Sequence, residues 1–296
     1  MILVTGATGF VGSHIFGTLR RRHEGFRALA RDREKYRSLF GAHGRPVHAD
    51  LHDLRKGDFN EDRVTAIVHC AAEVWPVEGG DARRFDSNIE GTRRLFDAVD
   101  HKHLEQVVLL SSFAVCGALS GTIDERTPRK PQTPYAESKA AQEELCEDFA
   151  ARTGLPVAIL RLPSVYGARQ RPETVLPRFV EEARAGRPLI LTGPPLRLQN
   201  FLYVADVVEA VDRCLDVGAN GIFALGAARE TTLRELADTI VKVTGSRAGV
   251  GVSKRDVASA PSAVPFHIDS ARARERLGWE PQFSLEQGLR EMLAAQ

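Results

Sequence analysis

The sequence predicts an α/β fold: a Rossmann-like doubly wound parallel sheet with a smaller, interleaved C-terminal substrate-binding domain. Three observations carry that expectation. Short apolar runs alternate with amphipathic helical patterns through the first two-thirds of the chain, a rhythm that gives parallel strands joined by crossover helices. Glycines spaced three apart, in TGATGFVG (5–12), lie between the first apolar run and the first helical pattern. With 296 residues, 43% of them hydrophobic, the chain is long enough for a large core.

The elements follow in order. MILVT (1–5) reads as a buried strand and GFVGSHIFGTLRRR (9–22) as a helix. Its basic end, LRRRHEGFR (19–27), suits the negative pole of a helix dipole and is read as a solvated face. FRALA (26–30) and TAIVHCA (65–71) are strands, and DSNIEGTRRLFDAVD (86–100) is a helix. QVVLLSS (106–112) is a strand, YAESKAAQEELCEDFAART (135–153) a long helix, and PVAILRL (156–162) a further strand. Pro134 falls in the first turn of the long helix, where a missing N–H costs nothing.

After about residue 165 the texture changes. YGARQRPETVLPRF (166–179) and AGRPLILTGPPLRLQ (185–199) are rich in Pro, Gly and Arg, which suits a smaller, loop-dominated region over the sheet. YVADVVEAVDRCL (203–215) is a helix returning to the sheet, and GIFALG (221–226) another strand. TTLRELADTIVKVTG (231–245) and LEQGLREMLAAQ (285–296) are helices. The expected division is a dinucleotide-binding domain of residues 1–165, to which 200–226 returns, and a substrate domain of 166–199 and 227–296.

A formal net charge of +1 argues against a dedicated nucleic-acid or membrane-surface binder. No apolar run approaches the ~20 residues that span a bilayer, and MILV is too short for a signal-peptide core. Cys70, Cys116, Cys146 and Cys214 form no C-x-x-C pair and are read as reduced thiols. The expectation is a cytoplasmic protein without a metal site.

Gly6, Gly9 and Gly12 have the strand–turn–helix context in which a phosphate bridge can approach backbone and rest on a helix N-terminus. Phe10 and Val11 lie within that turn. The second strand ends ALARDREK (28–35), where an acidic residue would accept from both ribose hydroxyls of NAD. The position falls on Arg31, whose guanidinium matches a 2′-phosphate, so NADP is favoured. NAD remains the alternative if Asp32 does that work one residue later. Ser111 and Ser112 end a strand at the sheet's carboxyl edge, where hydroxyls face the ligand crevice. In TPYAESKAAQEEL (133–145), Tyr135 and Lys139 are four residues apart and share a helix face. Ordinary helices carry the same pair, and the spacing alone does not make it a working one.

The chain resembles the extended short-chain dehydrogenase/reductase family, the NAD-dependent epimerases and dehydratases that act on nucleotide sugars. The resemblance rests on TGATGFVG, ADLHD, IVHCAA, SNIEGTRRLFDA, LSSFAVCG, YAESK, LRLPSVYG, NFLYVADVVEA and DSARARERLGWEP, in that order over nearly the whole chain. It implies that Tyr135 is the general acid/base, its pKa lowered from ~10 by cationic Lys139 and the cofactor's positive ring. It also implies that Lys139 holds the nicotinamide ribose and Ser112 the reacting oxygen. Asp50 and Leu51 resemble an adenine-contacting pair, Ala71 a stretch lining the adenosine and phosphates, and Asn88 a helix asparagine near the active site. Pro163 and Val165 fall where the family backs the nicotinamide, and Ser111 joins the cofactor set.

Departures narrow the reaction. The 4,6-dehydratases place an Asp–Glu pair after the catalytic hydroxyl, where this chain has Phe113 and Ala114. UDP-glucuronate decarboxylases want a carboxylate, and GDP-fucose synthase a cysteine, where Ala114 stands. What remains is reversible alcohol/ketone oxidoreduction, as 4-epimerisation or ketone reduction. The family's diphosphate-binding arginine is replaced by Gln199, with Arg197 two residues earlier, and an epimerase asparagine by Ser164. Arg178 and Arg197 head a set, with Arg169, Arg171 and Arg187, that can supply replacement contacts. The expected substrate is a nucleotide sugar; a small non-nucleotide carbonyl compound and a non-catalytic dinucleotide sensor are the alternatives. The resemblance further implies a homodimer through helices 86–100 and 135–153, with Leu95, Leu145 and Phe149 meeting their symmetry mates or close neighbours.

Overall fold

The computed structural model describes residues 1–22, 25–41, 46–59, 62–74, 85–192, 194–253 and 264–295. The first half runs β1 (Ile2–Thr5), α1 (Phe10–Arg22), β2 (Phe26–Leu29), α2 (Arg33–Phe40), β3 (Ala66–His69), α3 (Asp86–Ala98), β4 (Gln106–Ser112), β5 (Gly121–Ile123), α4 (Pro134–Thr153) and β6 (Val157–Leu162). It continues with β7 (Ser164–Tyr166), α5 (Val175–Arg184), β8 (Leu189–Leu191), β9 (Leu198–Gln199), β10 (Phe201–Tyr203), α6 (Val204–Val217) and β11 (Gly221–Ala224). The tail comprises β12 (Thr231–Thr232), α7 (Leu233–Thr244), β13 (Val250–Val252), β14 (Phe266–Ile268), α8 (Ala271–Leu277) and α9 (Leu285–Ala294).

Six strands form the central sheet in the order β11-β6-β4-β3-β1-β2, each pair parallel. The order reverses between β1 and β3, and there a doubly wound sheet opens its crevice. Because side chains alternate across a strand, each strand feeds two layers. Val4, Val108, Leu110 and Leu160 pack with Phe16 of α1 and Val207 of α6. Leu3, Ile67, Val107 and Ile159 pack on the opposite face with Phe96 of α3 and Phe149 of α4.

A second core joins Tyr166, Phe179, Leu191, Phe201, Leu236 and Met292. Four two-stranded pairings, β7–β10, β8–β13, β9–β12 and β5–β14, lie outside the central sheet, the last joining a segment after β4 to the tail. The tail is shared. Ala273, Leu277 and Trp279, expected among the substrate residues, pack into the sheet's own core, and Trp279 Nε1 donates to the Asp206 carbonyl at 2.8 Å.

Three helices, α2, α5 and the short α8, go beyond the expectation. Asp32 caps α2 by accepting from Lys35 N at 2.9 Å, and Tyr36 and Phe40 anchor it. α5 forms within the expected loop region because Leu176, Phe179, Val180 and Ala183 keep a helical period, with Pro177 in its first turn.

The dimer expectation needs one correction. Leu95 and Phe149 are wholly buried within the chain, Phe149 stacked on Phe96 at 4.3 Å between centroids, so neither is free to meet a symmetry mate. Leu145 is half-buried. Among the described residues no helix is long and apolar enough to cross a membrane, and no cluster of three or more His, Cys, Asp or Glu could hold a metal.

Candidate active site

The turn after β1 is built for close approach. Gly6 has φ +64°, and a Cβ there would lie 2.7 Å from Ala71 N; a Cβ on Gly12 would run into the Gly6 carbonyl. Gly9 N donates to Gly6 O at 2.8 Å, closing the turn onto α1. With no basic side chain in the turn itself, backbone N–H groups and the helix dipole are left for an anion. The residues therefore fit a dinucleotide.

One cleft of about 810 Å³ runs from this turn across the carboxyl edge of the sheet, a size that suits a small-molecule site. Gly6, Gly9, Phe10, Val11 and Gly12 line one end; Ser111, Ser112, Tyr135 and Lys139 line the middle. Pro163 and Val165 follow β6, and Arg178, Arg197 and Gln199 line the far end together with Arg169 and Arg171. Four predicted residues stand beside the cleft. Ala71 backs Gly6, and Leu51 packs against Gly91. Arg31 pairs with Asp50 at 3.3 Å and with Glu73 at 3.2 Å. Burial alone would lower the Arg31 guanidinium, but Asp50 and Glu73 raise it above its ordinary range.

Local chemistry places Tyr135 and Lys139. Thr133 caps α4 by accepting from Ala136 N at 3.2 Å, and Pro134 starts the helix. The two side chains then project one turn apart toward the strand ends. Ser112 Oγ accepts from Ala114 N at 3.1 Å, and its hydroxyl acts on the Tyr135 phenol across the cleft. Burial pushes that phenol up to about 12, the Ser112 hydroxyl opposing. The expected lowering by Lys139 is absent in this arrangement. Lys139 Nζ instead donates to Leu110 O at 2.6 Å and Gln142 Oε1 at 2.7 Å, and burial pulls it down to about 8.

Sequence reasoning missed the polar floor. Glu143, one turn after Lys139 and wholly buried, accepts from Ser111 Oγ at 2.5 Å, Arg161 Nη2 at 2.9 Å and Arg129 Nε at 2.7 Å. Burial would raise its carboxyl, yet Arg161, with Ser111 and Arg129, holds it below the usual range. Its i+4 spacing from Lys139 was the available signal. Asn88, which the resemblance did suggest, accepts from Glu73 N at 2.7 Å and donates to Ser138 Oγ at 2.9 Å, tying α3 to α4.

At the far end, Gln199 takes over the missing arginine's place indirectly. With its amide turned to suit both neighbours, it donates to Ser164 Oγ at 3.1 Å and accepts from Arg197 Nη2 at 2.6 Å. Arg169, Arg171, Arg178 and Arg197 have no carboxylate partner among the described residues. Arg169 also adopts φ +66°, and burial lowers its guanidinium.

A glycine turn under a helix N-terminus, a Ser–Tyr–Lys set at the strand ends and a basic far wall define a dinucleotide-dependent oxidoreductase class. The description of the NAD dependent epimerase/dehydratase family matches residues 2–226. The chain belongs to that family and is an enzyme of the extended short-chain type. It is 29% identical over 307 residues to mouse dTDP-D-glucose 4,6-dehydratase, covering 98% of this chain and 86% of the relative. The structure of UDP-glucose 4-epimerase from Thermotoga maritima with UDP-glucose matches with TM-score 0.87 and 26% identity, over 99% of this chain and 97% of that one. A dTDP-glucose 4,6-dehydratase of Bacillus anthracis, in complex with NAD, matches with TM-score 0.82 and 27% identity, over 99% and 95%.

Proposed function

We propose that this enzyme carries out reversible oxidoreduction at a hydroxyl or ketone of a nucleotide sugar, as an epimerase or a reductase, with Tyr135 as acid/base. The observation that carries the reading is the cleft that brings Ser112, Tyr135 and Lys139 between the glycine turn and four arginines that have no carboxylate partner among the described residues. A diphosphate answers those guanidiniums in charge and in fork geometry. When bound, the nicotinamide cofactor accepts or returns hydride. Ser112 holds the reacting oxygen, and Tyr135 takes or gives its proton. With the phenol held near 12 by burial, the cofactor's positive ring has to supply the lowering. Dehydration is not proposed, although the relatives include dehydratases, because Phe113 is buried in a satellite core and Ala114 carries no proton-transferring group.

The cofactor we propose is NAD, with NADP as the alternative. The sequence pointed to NADP through Arg31, but Asp50 and Glu73 occupy that guanidinium, and two carboxylates there oppose a 2′-phosphate. The reading also includes a homodimer through α3 and α4, and a reducing, cytoplasmic setting that suits four free thiols. A small-carbonyl reductase is favoured only by the loss of the arginine at Gln199, a place that Arg197 can fill.

The test is Tyr135→Phe, assayed with NAD and NADP against UDP-, GDP- and dTDP-sugars. Turnover should fall by at least ~100-fold while calorimetric dinucleotide affinity stays within about twofold. Near-normal turnover in this variant would sink the catalytic assignment.

A further inference from the structure

Gln142 lies between the cleft and the buried interface of α3 and α4. Its amide oxygen faces Lys139 Nζ at 2.7 Å, while its nitrogen donates to Thr92 Oγ1 at 2.8 Å and Asn88 O at 3.1 Å and lies 3.2 Å from His69 Nε2, which accepts from it when the His69 proton is on Nδ1. Lys139 and Gln142 are 3% and 0% exposed. His69 closes the cluster, Nδ1 at 2.6 Å from Thr5 Oγ1 and Nε2 at 3.0 Å from Thr92 Oγ1. Thr92 spends its own proton on Asn88 O at 2.7 Å, so it receives the Gln142 amide as an acceptor. The amide therefore has one satisfactory orientation. Turned over, it would set N–H groups against the ammonium and an oxygen against the Asn88 carbonyl.

We propose that Gln142 is a positioning residue for Lys139: its amide oxygen fixes Nζ at the cleft floor and helps the lysine keep its proton. This rests on the reading that Lys139 must be cationic to hold the cofactor's nicotinamide ribose. The groups facing Lys139 are Tyr135, Glu143 and Cys146 from its own helix, and His69 and Cys70 from the end of β3. Burial keeps Cys70 and Cys146 as thiols, near 12, and His69 neutral, near 3. Glu143 is shared among Arg161, Arg129 and Ser111. A lysine already drawn down to about 8 is thus sensitive to one acceptor at hydrogen-bond distance.

The signs can be worked out for two substitutions. Gln142→Leu removes an acceptor that favours the cation, so Lys139 loses its proton at lower pH. Gln142→Glu places an anion at the same contact with nearly the same shape, so the proton is held to higher pH. The dissociation constant of NAD, measured by calorimetry from pH 6 to 9.5, should rise at the alkaline end in the unmodified enzyme. That rise should move down by about one pH unit in Gln142→Leu and up by about one in Gln142→Glu. In Lys139→Met it should vanish. Shifts of the same sign in both Gln142 variants, or none in Gln142→Glu, would overturn the proposal. Persistence of the alkaline rise in Lys139→Met would overturn the role of Lys139 itself, and with it this inference. Gln142→Met, of similar length and without an acceptor oxygen, replaces Gln142→Leu if that variant melts below the working temperature.

Discussion

Two buried carboxylates show how partners decide a titration. Glu143 receives four N–H or O–H hydrogen bonds, from Ser111 and two guanidiniums, and is held ionised. Asp206, 2% exposed in the first turn of α6, accepts from Gln282 N at 2.8 Å through one oxygen, while the other has no partner among the described residues. Burial pushes Asp206 up to about 6. Its folded-state value lies above the unfolded one, near 3.9. The folded state therefore binds the proton more tightly, and stability falls as pH rises from about 4 through 6, then stays level. Asp206→Asn removes this cost. At pH 8 the variant should be stabilised by ~1–3 kcal/mol, a rise in Tm of roughly 2–6 °C. The difference should close below about pH 4. A lower Tm at pH 8 would show that the ionised carboxylate has a compensating partner.

At the scale of elements, the start of α4 matters most, because Tyr135 sits in its first turn. Thr133→Ala removes the side-chain acceptor for Ala136 N, at a cost of about 1 kcal/mol. Fraying there should lower turnover roughly fivefold, with Thr133→Ser restoring both stability and rate; melting curves and initial rates would show it, and an unchanged rate would mean that packing alone holds the turn. The same helix shows what was legible beforehand. Its motif is contiguous, so Tyr135 and Lys139 could be read in the sequence as candidates, and QVVLLSS, which ends on Ser112, coincides with β4 residue for residue. α2 was hidden because half of REKYRSLF is charged and it anchors through two aromatics. Arg161 read as one more residue of an apolar strand; its pairing with Glu143 exists only once β6 lies under α4. Glu73 escaped for the same reason, since its partner Arg31 comes from a distant segment; Gln142 is local to Lys139, but its other partners, Thr92 and Asn88, belong to α3.

For the whole molecule, the proposed dimer has to use what α3 and α4 leave outside. Ile89, Ala141 and Leu145 are half-buried on those helices, among exposed Arg93, Asp97, Glu144 and Glu147. An isologous contact over that face would place Leu145 near its own mate. Sedimentation at micromolar concentration should give a dimer, and Leu145→Glu a monomer; a monomeric parent protein would end the idea.

The interleaved order of the sheet also governs how the chain emerges from the ribosome. β6 is complete at Leu162, but its outer neighbour β11 begins at Gly221. At ~5–20 residues per second, roughly 60 residues of synthesis leave the β6 edge bare for about 3–12 s. Every residue of that strand is buried in the finished protein, so the bare edge is a template for another chain. Arg161 is its penultimate residue, and a charge within an apolar strand discourages such pairing. Glu143 has been made before it and is waiting to receive it. The side chain that balances a buried carboxylate in the finished enzyme thus also guards the unfinished one.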